Sequence, residues 1–344
     1  MKQPLVFLFV TLIMASCGGN TPSTTTTSST PAKTGPKATK GTLTSKAQSQ
    51  LESLIALAKK QGNSFDGKKL FQTYGLEAET PCQVKGKVRV YTVKGPGGKV
   101  RAAMLYVTPK GFDLCDSAKT EIPPAICTVS IGPKGVKEEK LVYSMFMGGA
   151  SLGFNLRVKQ LGGFKGYTIL RIAYESVMTD SGRGCEKHKA LMETSKSTGR
   201  TEEKHMYYSL VKGAFIELGS IDVGARTLTS YNTSETKGTV KWHTLASRSD
   251  PILSLVSYYS SSSKPMDSGQ DAGEGLRPSM GPMVDCSIET KLYALVNGGK
   301  KLSEVTGAGL TTLLREPELK NLPAKKAGSS ADQCDAMNPE NAGQ

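Results

Sequence analysis

Lys87-Val88-Arg89-Val90-Tyr91-Thr92-Val93-Lys94-Gly95-Pro96-Gly97-Gly98-Lys99-Val100-Arg101-Ala102-Ala103-Met104-Leu105-Tyr106 is the stretch that decides the fold class. Val88, Val90 and Thr92 alternate with Arg89, Tyr91 and Val93, a period of two. The Gly95–Gly98 turn then feeds a second run carrying Val100, Ala102, Met104 and Tyr106. Two such runs around a glycine and proline turn make a β-hairpin. Further strand-like runs follow at 126–131, 141–147, 154–158, 167–174, 207–218, 239–245, 252–259 and 291–296. Short connections with few helices between them predict a mainly β, α+β fold built of antiparallel sheet, a sandwich or an open barrel, rather than a doubly wound one.

On the N-terminal side of the hairpin the period changes. Ser45 and Gln48 form a capping box, and Ala47, Leu51, Leu54, Ile55 and Ala58 recur at helical spacing, so an amphipathic helix is expected to end near Gly62. A shorter helix is expected over 66–74, with Leu70, Phe71 and Tyr74 inward. Thr179 to His205 is a charged, glycine-containing stretch with room for one helix near 186–194. Residues 260–285 read as a long Ser, Gly, Pro and Met loop.

The first residues carry one cation, Lys2, then an apolar run from Leu5 to Ala15, then small residues before Cys17. That run is shorter than the roughly 20 residues needed to span a bilayer and has the layout of a secretory signal. Ile13-Met14-Ala15-Ser16-Cys17 resembles the lipobox of bacterial lipoproteins, with Met14 where Leu is usual. The resemblance implies removal of 1–16, diacylation of Cys17 and acylation of its new amino group. Gly18 after the cysteine, where Asp is absent, implies outer-membrane sorting and residence in the cell envelope. Residues 18–44 are almost entirely Thr, Ser, Pro, Gly, Ala and Lys, with Leu43 the one bulky apolar residue, too polar to fold. Such a tether of about 27 residues reaches on the order of 30 Å. A globular body is expected over 45–326, with a loose tail over 327–344 unless Cys334 pins it.

Of seven cysteines, Cys17 is assigned to lipid. Cys82, Cys115, Cys127, Cys185, Cys286 and Cys334 remain, an even number suited to disulfides in an oxidising compartment. Six cysteines allow 15 pairings, with local pairing favoured among Cys82, Cys115 and Cys127. Cys185 and His188 are spaced like half a zinc site, but no second close pair completes it.

The net charge is +14; setting aside Lys2, Lys33, Lys37 and Lys40 leaves ten excess positive charges in the rest of the chain. Anionic lipid headgroups and acidic cell-wall polymers are the partners such a body would meet, beside envelope proteins. No basic run interleaved with aromatics favours nucleic acid.

Signals for chemistry are weak. Gly149-Ala150-Ser151-Leu152-Gly153 fits the G-x-S-x-G nucleophile elbow and follows a strand, and Asp180 with His188 or His205 would supply a triad in the right chain order. An elbow is followed by a helix, however, and Phe154, Leu156 and Val158 alternate as in a strand. Gly62-Asn63-Ser64-Phe65-Asp66-Gly67-Lys68 has a phosphate-loop skeleton, but Lys69 stands where a hydroxyl should hold magnesium and the segment follows a helix. Asp267, Asp271 and Glu274 lie among glycines without EF-hand spacing. His188 and His205 are expected to be solvated in the charged insertion and His243 to lie on a strand beside Trp242. No cofactor is called for. The leading expectation is a non-catalytic envelope protein that binds an anionic component or a protein; a lipid-handling half-barrel and a hydrolase using Ser151 are the alternatives.

Overall fold

The computed structural model describes residues 45–112, 122, 124–132, 135–144, 153–162, 164, 167–179, 182–183, 186–194, 198–263 and 283–338, all of which belong to the compact unit Thr42–Gln344. The fold is mainly β, with antiparallel sheets and a helix at the N-terminus of the described chain.

Helix α1 (Ser45–Gln61) buries Ala47, Leu51, Leu54, Ile55 and Ala58, the residues whose spacing marks its apolar face. Its last turn carries Lys59 and Lys60, whose charge suits the negative end of the helix dipole. After a 3-10 turn come strand β1 (Phe65–Asp66) and helix α2 (Gly67–Thr73), capped by the Asp66 carboxylate accepting from the Lys69 amide at 3.0 Å. The phosphate-loop skeleton is thus a packed junction. Gly67 is there because a Cβ would overlap the Cys82 carbonyl.

The first sheet runs β1, β2 (Lys85–Lys94), β3 (Val100–Pro109), β4 (Ala125–Gly132), β5 (Gly135–Ser144), each strand antiparallel to the next. Both of its faces are covered. Ala103, Leu105, Val107, Cys127 and Val129 pack under α1 and α2, while Ala102, Met104 and Ile126 pack against the second sheet. Double coverage explains why β3 and β4 read as near-continuous apolar runs.

The second sheet has the order β14-β13-β12-β11-β10-β9-β7-β6. These are β6 (Gly153–Leu161), β7 (Ile169–Thr179), β9 (Gly199–Val211), β10 (Ala214–Leu228), β11 (Asn232–His243), β12 (Ile252–Ser263), β13 (Val284–Val296) and β14 (Lys301–Val305). The short strands β8 (Gly182–Arg183) and β15 (Lys326–Gly328) pair with β7 and β13. Even-numbered Leu170, Ile172, Met206 and Tyr208 face the first sheet. Ile169 and Tyr207 face the other way, into a core shared with Leu218, Ile221, Val223, Leu253, Leu255, Leu295 and Leu302. The sheet therefore curls over on itself. Two bulges in β10, between Glu217 and Gly219 and between Asp222 and Gly224, supply the bend. A Cβ at Gly219 would lie 3.8 Å from that of Leu302 on β14, yet the sheet stays open.

Helix α3 (Glu186–Glu193) seats Met192 on Val177 and Leu228. Helix α4 (Gly307–Leu313) closes one end with Leu313 against Leu245, Ile252 and Leu292. Among the described residues two disulfides join distant segments: Cys82 to Cys127 beneath α1, and Cys286 on β13 to Cys334 on helix α5 (Ala331–Met337).

Four expectations need correction. The single strand over 207–218 is two, because Lys212 and Gly213 at φ +50° and +81° turn the chain tightly between β9 and β10. The charged stretch 199–205 is the start of β9, not an irregular insertion, since its charges pair with those of neighbouring strands. His205 is buried, not solvated. The tail is ordered to residue 338: β15 pairs with β13, and Cys334 pins α5.

Candidate functional site

Strand β9 carries Glu203, His205 and Tyr207 at alternating positions, so all three side chains lie on the concave face of the second sheet. Directly opposite on β7 stand Glu175, Ala173 and Arg171. Imidazole Nε2 of His205 lies 3.3 Å from Glu203 Oε1, and its Nδ1 lies 3.4 Å from the Tyr207 hydroxyl. A tautomer with the proton on Nε2 would let His205 donate to the carboxylate and accept from the Tyr207 hydroxyl at Nδ1. This bond, ahead of the attraction of Arg157 and Arg171, holds the Glu203 carboxyl below its ordinary range despite burial. Burial pushes the fully enclosed Tyr207 phenol well up, so it stays neutral. Tyr207 in turn meets Trp242 edge-on at 5.6 Å, and Phe164 packs against that indole at a tilt of 50°, centroids 5.3 Å apart.

At its outer end this row opens into a charged cleft of about 360 Å³, walled by β7, β9, β10, β11 and α3. Arg157 of β6 reaches Glu203 at 3.5 Å and Glu175 at 3.9 Å. Lys189 of α3 bonds Glu175 and lies 3.8 Å from Glu193. Lys237 and Glu235 pair at 3.6 Å across the cleft wall. Cation and carboxylate therefore neutralise one another here, and His205 uses both ring nitrogens in the relay. Among the described residues these ion pairs fix the charges of the cleft in place.

The basic charge lies elsewhere. Residues 45–112 hold twelve Lys and Arg against four Asp and Glu, which accounts for eight of the ten excess positive charges after the N-terminal lysines. All but Arg101 of these cations are exposed. One end of the first sheet carries eight of them, on both of its faces. Lys85, Lys87 and Arg89 alternate along one face of β2, and Lys110 donates its amide to the Lys85 carbonyl at 2.8 Å. Lys68 and Lys69 open α2 beside them, with the Lys68 amide 3.2 Å from the Gln83 carbonyl. Lys59 and Lys60 end α1 just before the 3-10 turn that packs on β2. Asp66, 3.7 Å from Lys85, is an acid within the group.

No protein family, no curated protein and no solved structure matches this chain.

His243 is buried, with Nε2 2.8 Å from Ser254 Oγ, and burial pulls its pKa down. It belongs to the core and not to the cleft. Ser151, Asp180, Cys17, Cys115, Cys185, Asp267, Asp271 and Glu274 lie outside the described residues, as does the His188 side chain. The segment after Ser151 is the strand β6, not the helix an elbow requires. Among the described residues no group of three His, Cys, Asp or Glu could hold a metal ion. The sequence reading missed the Glu203–His205–Tyr207 row, although its spacing of two was a signal once 199–205 is taken as strand.

Proposed function

We propose that this protein is a lipid-anchored envelope lipoprotein without catalytic activity, whose basic end binds anionic polymers or headgroups near its own membrane. The observation that carries the reading is the gathering of eight exposed cations where α1 ends and α2, β2 and β3 meet. A lipobox-like segment ending at Cys17 supports the anchor. Helix α1, at about 1.5 Å per residue, places the basic end about 25 Å from the start of the body. That is within the roughly 30 Å reach of a tether of this composition, so the basic end can touch the surface that holds the anchor. Tethering raises the local concentration of such a surface, and weak contacts then suffice.

The test is sedimentation of the untethered compact unit, Thr42 to Gln344, with cell wall and with vesicles containing anionic or only zwitterionic lipid, across a salt series. Binding to an anionic target that falls steeply with salt is expected, because such contacts are screened over about 10 Å at 0.1 M. The triple change Lys85→Glu, Lys87→Glu, Arg89→Glu should weaken it at least tenfold. Absence of binding to every anionic target at low salt would remove the proposal. For the anchor, Cys17→Ser should give material that no longer partitions into detergent.

A carrier that encloses lipid in the curled sheet is the weaker reading. Tyr207, Leu253, Leu255, Leu295 and Leu302 already fill that concavity.

A further inference from the structure

Arg171 Nε, Ser209 Oγ and Trp242 Nε1 are buried without a hydrogen-bond partner. All three are on the concave side of the second sheet. Register sets Arg171 opposite Tyr207 and Ile169 opposite Ser209, so Arg171 and Ser209 are diagonal neighbours on one face. Trp242 packs edge-on against Tyr207 at 5.6 Å in the same core cluster. Two of these atoms, the guanidinium and indole nitrogens, can only donate. Leaving buried donors unpaired is costly enough that folded proteins rarely do it.

A second observation comes from the other side of β7. Lys159 of β6 stands directly opposite Arg171, on the same face. Like charges directly across a strand pair repel. The carboxylates of this face are already engaged: Glu175 is bonded by Lys189 and Arg157, and Glu203 by His205 and Arg157, so that Arg171 has only the more distant attraction of Glu203. Among the described residues no ion pair joins Lys159 or Arg171 to an acid. A water molecule would answer one or two donors but not the paired positive charge.

We infer that the face between Lys159 and Arg171, beside Ser209 and Tyr207, binds the oxyanion group of a small ligand, a phosphate or a carboxylate. The oxyanion supplies what the wall lacks, acceptors only and negative charge. Arginine offers a planar donor fork matched to either group, and exposed Lys159 offers a second cation directly across the strand pair. This site lies in the second sheet, away from the basic end of the first, and does not depend on it.

Trp242 is the one tryptophan of the chain, so its emission reports the site. The full chain in detergent would be titrated with sodium phosphate and, separately, with sodium acetate, ionic strength being held constant with sodium chloride. A saturable change in Trp242 emission with one or both anions, and none on exchanging chloride alone, is the expected result. Arg171→Gln should weaken it at least tenfold and Lys159→Gln at least threefold, while the triple charge reversal on β2 should leave it unchanged. Should Arg171→Gln fail to fold, the exposed Lys159→Gln still decides. No saturable change with either anion, or wild-type affinity in Lys159→Gln, would overturn the site.

Discussion

Gly213, at the turn between β9 and β10, rests directly on Ile131 of β4, so that a Cβ at position 213 would overlap the Ile131 carbonyl oxygen. The Gly213 carbonyl also accepts a hydrogen bond from the buried Ser130 hydroxyl. The turn is therefore a point where the second sheet is bolted to the first. Gly213→Ala should be destabilising on two counts, strain at φ +81° and the clash with backbone that cannot yield. A loss of about 2 kcal/mol or more in urea unfolding is expected, beyond the roughly 1 kcal/mol typical of point changes. A variant as stable as the parent would show that the two sheets are not held at this turn.

The Glu203–His205 bond gives a pH signature. Because the folded-state pKa of Glu203 lies below its ordinary 4.5, its contribution is present above that value and is lost as pH falls through the depressed folded value. Glu203→Gln should melt lower than wild type at pH 7, and the gap should close as pH drops below about 4.5. Glu203 is 36% exposed, so solvent tempers the effect. Melting temperatures of both proteins from pH 3 to 7 give the comparison, and a gap independent of pH would count against a charge-assisted bond.

His243 works in a neighbouring window. Burial disfavours its charged form, so its folded pKa lies below 6.5, and protonation favours the unfolded chain. Stability should therefore decline as pH falls from about 6.5 toward the folded value. His243→Asn, which keeps a donor for Ser254, should flatten that decline while leaving the acid limb from Glu203 in place. Denaturant midpoints at pH 7.5 and 5.5 separate the two.

Much of the fold was legible because some segments reveal their partners by themselves. Helix α1 has one apolar stripe and one covered face, and the β2–β3 hairpin carries its turn between its strands. The β9–β10 turn was hidden because a single Lys-Gly pair interrupts apolar residues that continue on both sides. The buried polar row was harder still. Glu203, His205 and Arg171 look like solvated charge until β6, β7 and β9, separated by long connections, are in register and place Arg157 and Tyr207 beside them. Charge run alone says nothing of register.

The C-terminal bridge should act locally. Cys334 ties α5 to Cys286 on β13, and the same helix gives its Cys334 carbonyl to the Tyr258 hydroxyl at 3.0 Å. Beyond these, β15 adds three paired residues. Cys334→Ser should free residues from about 326 onward to limited proteolysis while the rest of the molecule unfolds cooperatively. By contrast Cys82→Ser cuts a bridge in the core under α1. For a closed loop of 45 residues the chain-entropy model gives a loss of about 4 kcal/mol, spread over the whole unit. Equal proteolytic patterns in the two variants would contradict this division.

The two bridges seen leave Cys115 and Cys185 as the remaining pair of the six cysteines after Cys17. If the protein is exported as proposed, an oxidising compartment would not leave two thiols free for long. They are expected to close on each other. That bridge would join the connection after β3 to the residue just before α3, and so fasten the side of the charged cleft where Lys189 and Met192 sit. A link over about 70 residues would contribute on the order of 4 kcal/mol through the unfolded state. Peptide mapping of the unreduced protein by mass spectrometry should yield a Cys115–Cys185 cross-linked pair. Finding both cysteines alkylated in the denatured, unreduced protein would instead assign them a role as free thiols, and the cleft wall would then depend on the Lys189–Glu175 ion pair and the Met192 contact alone.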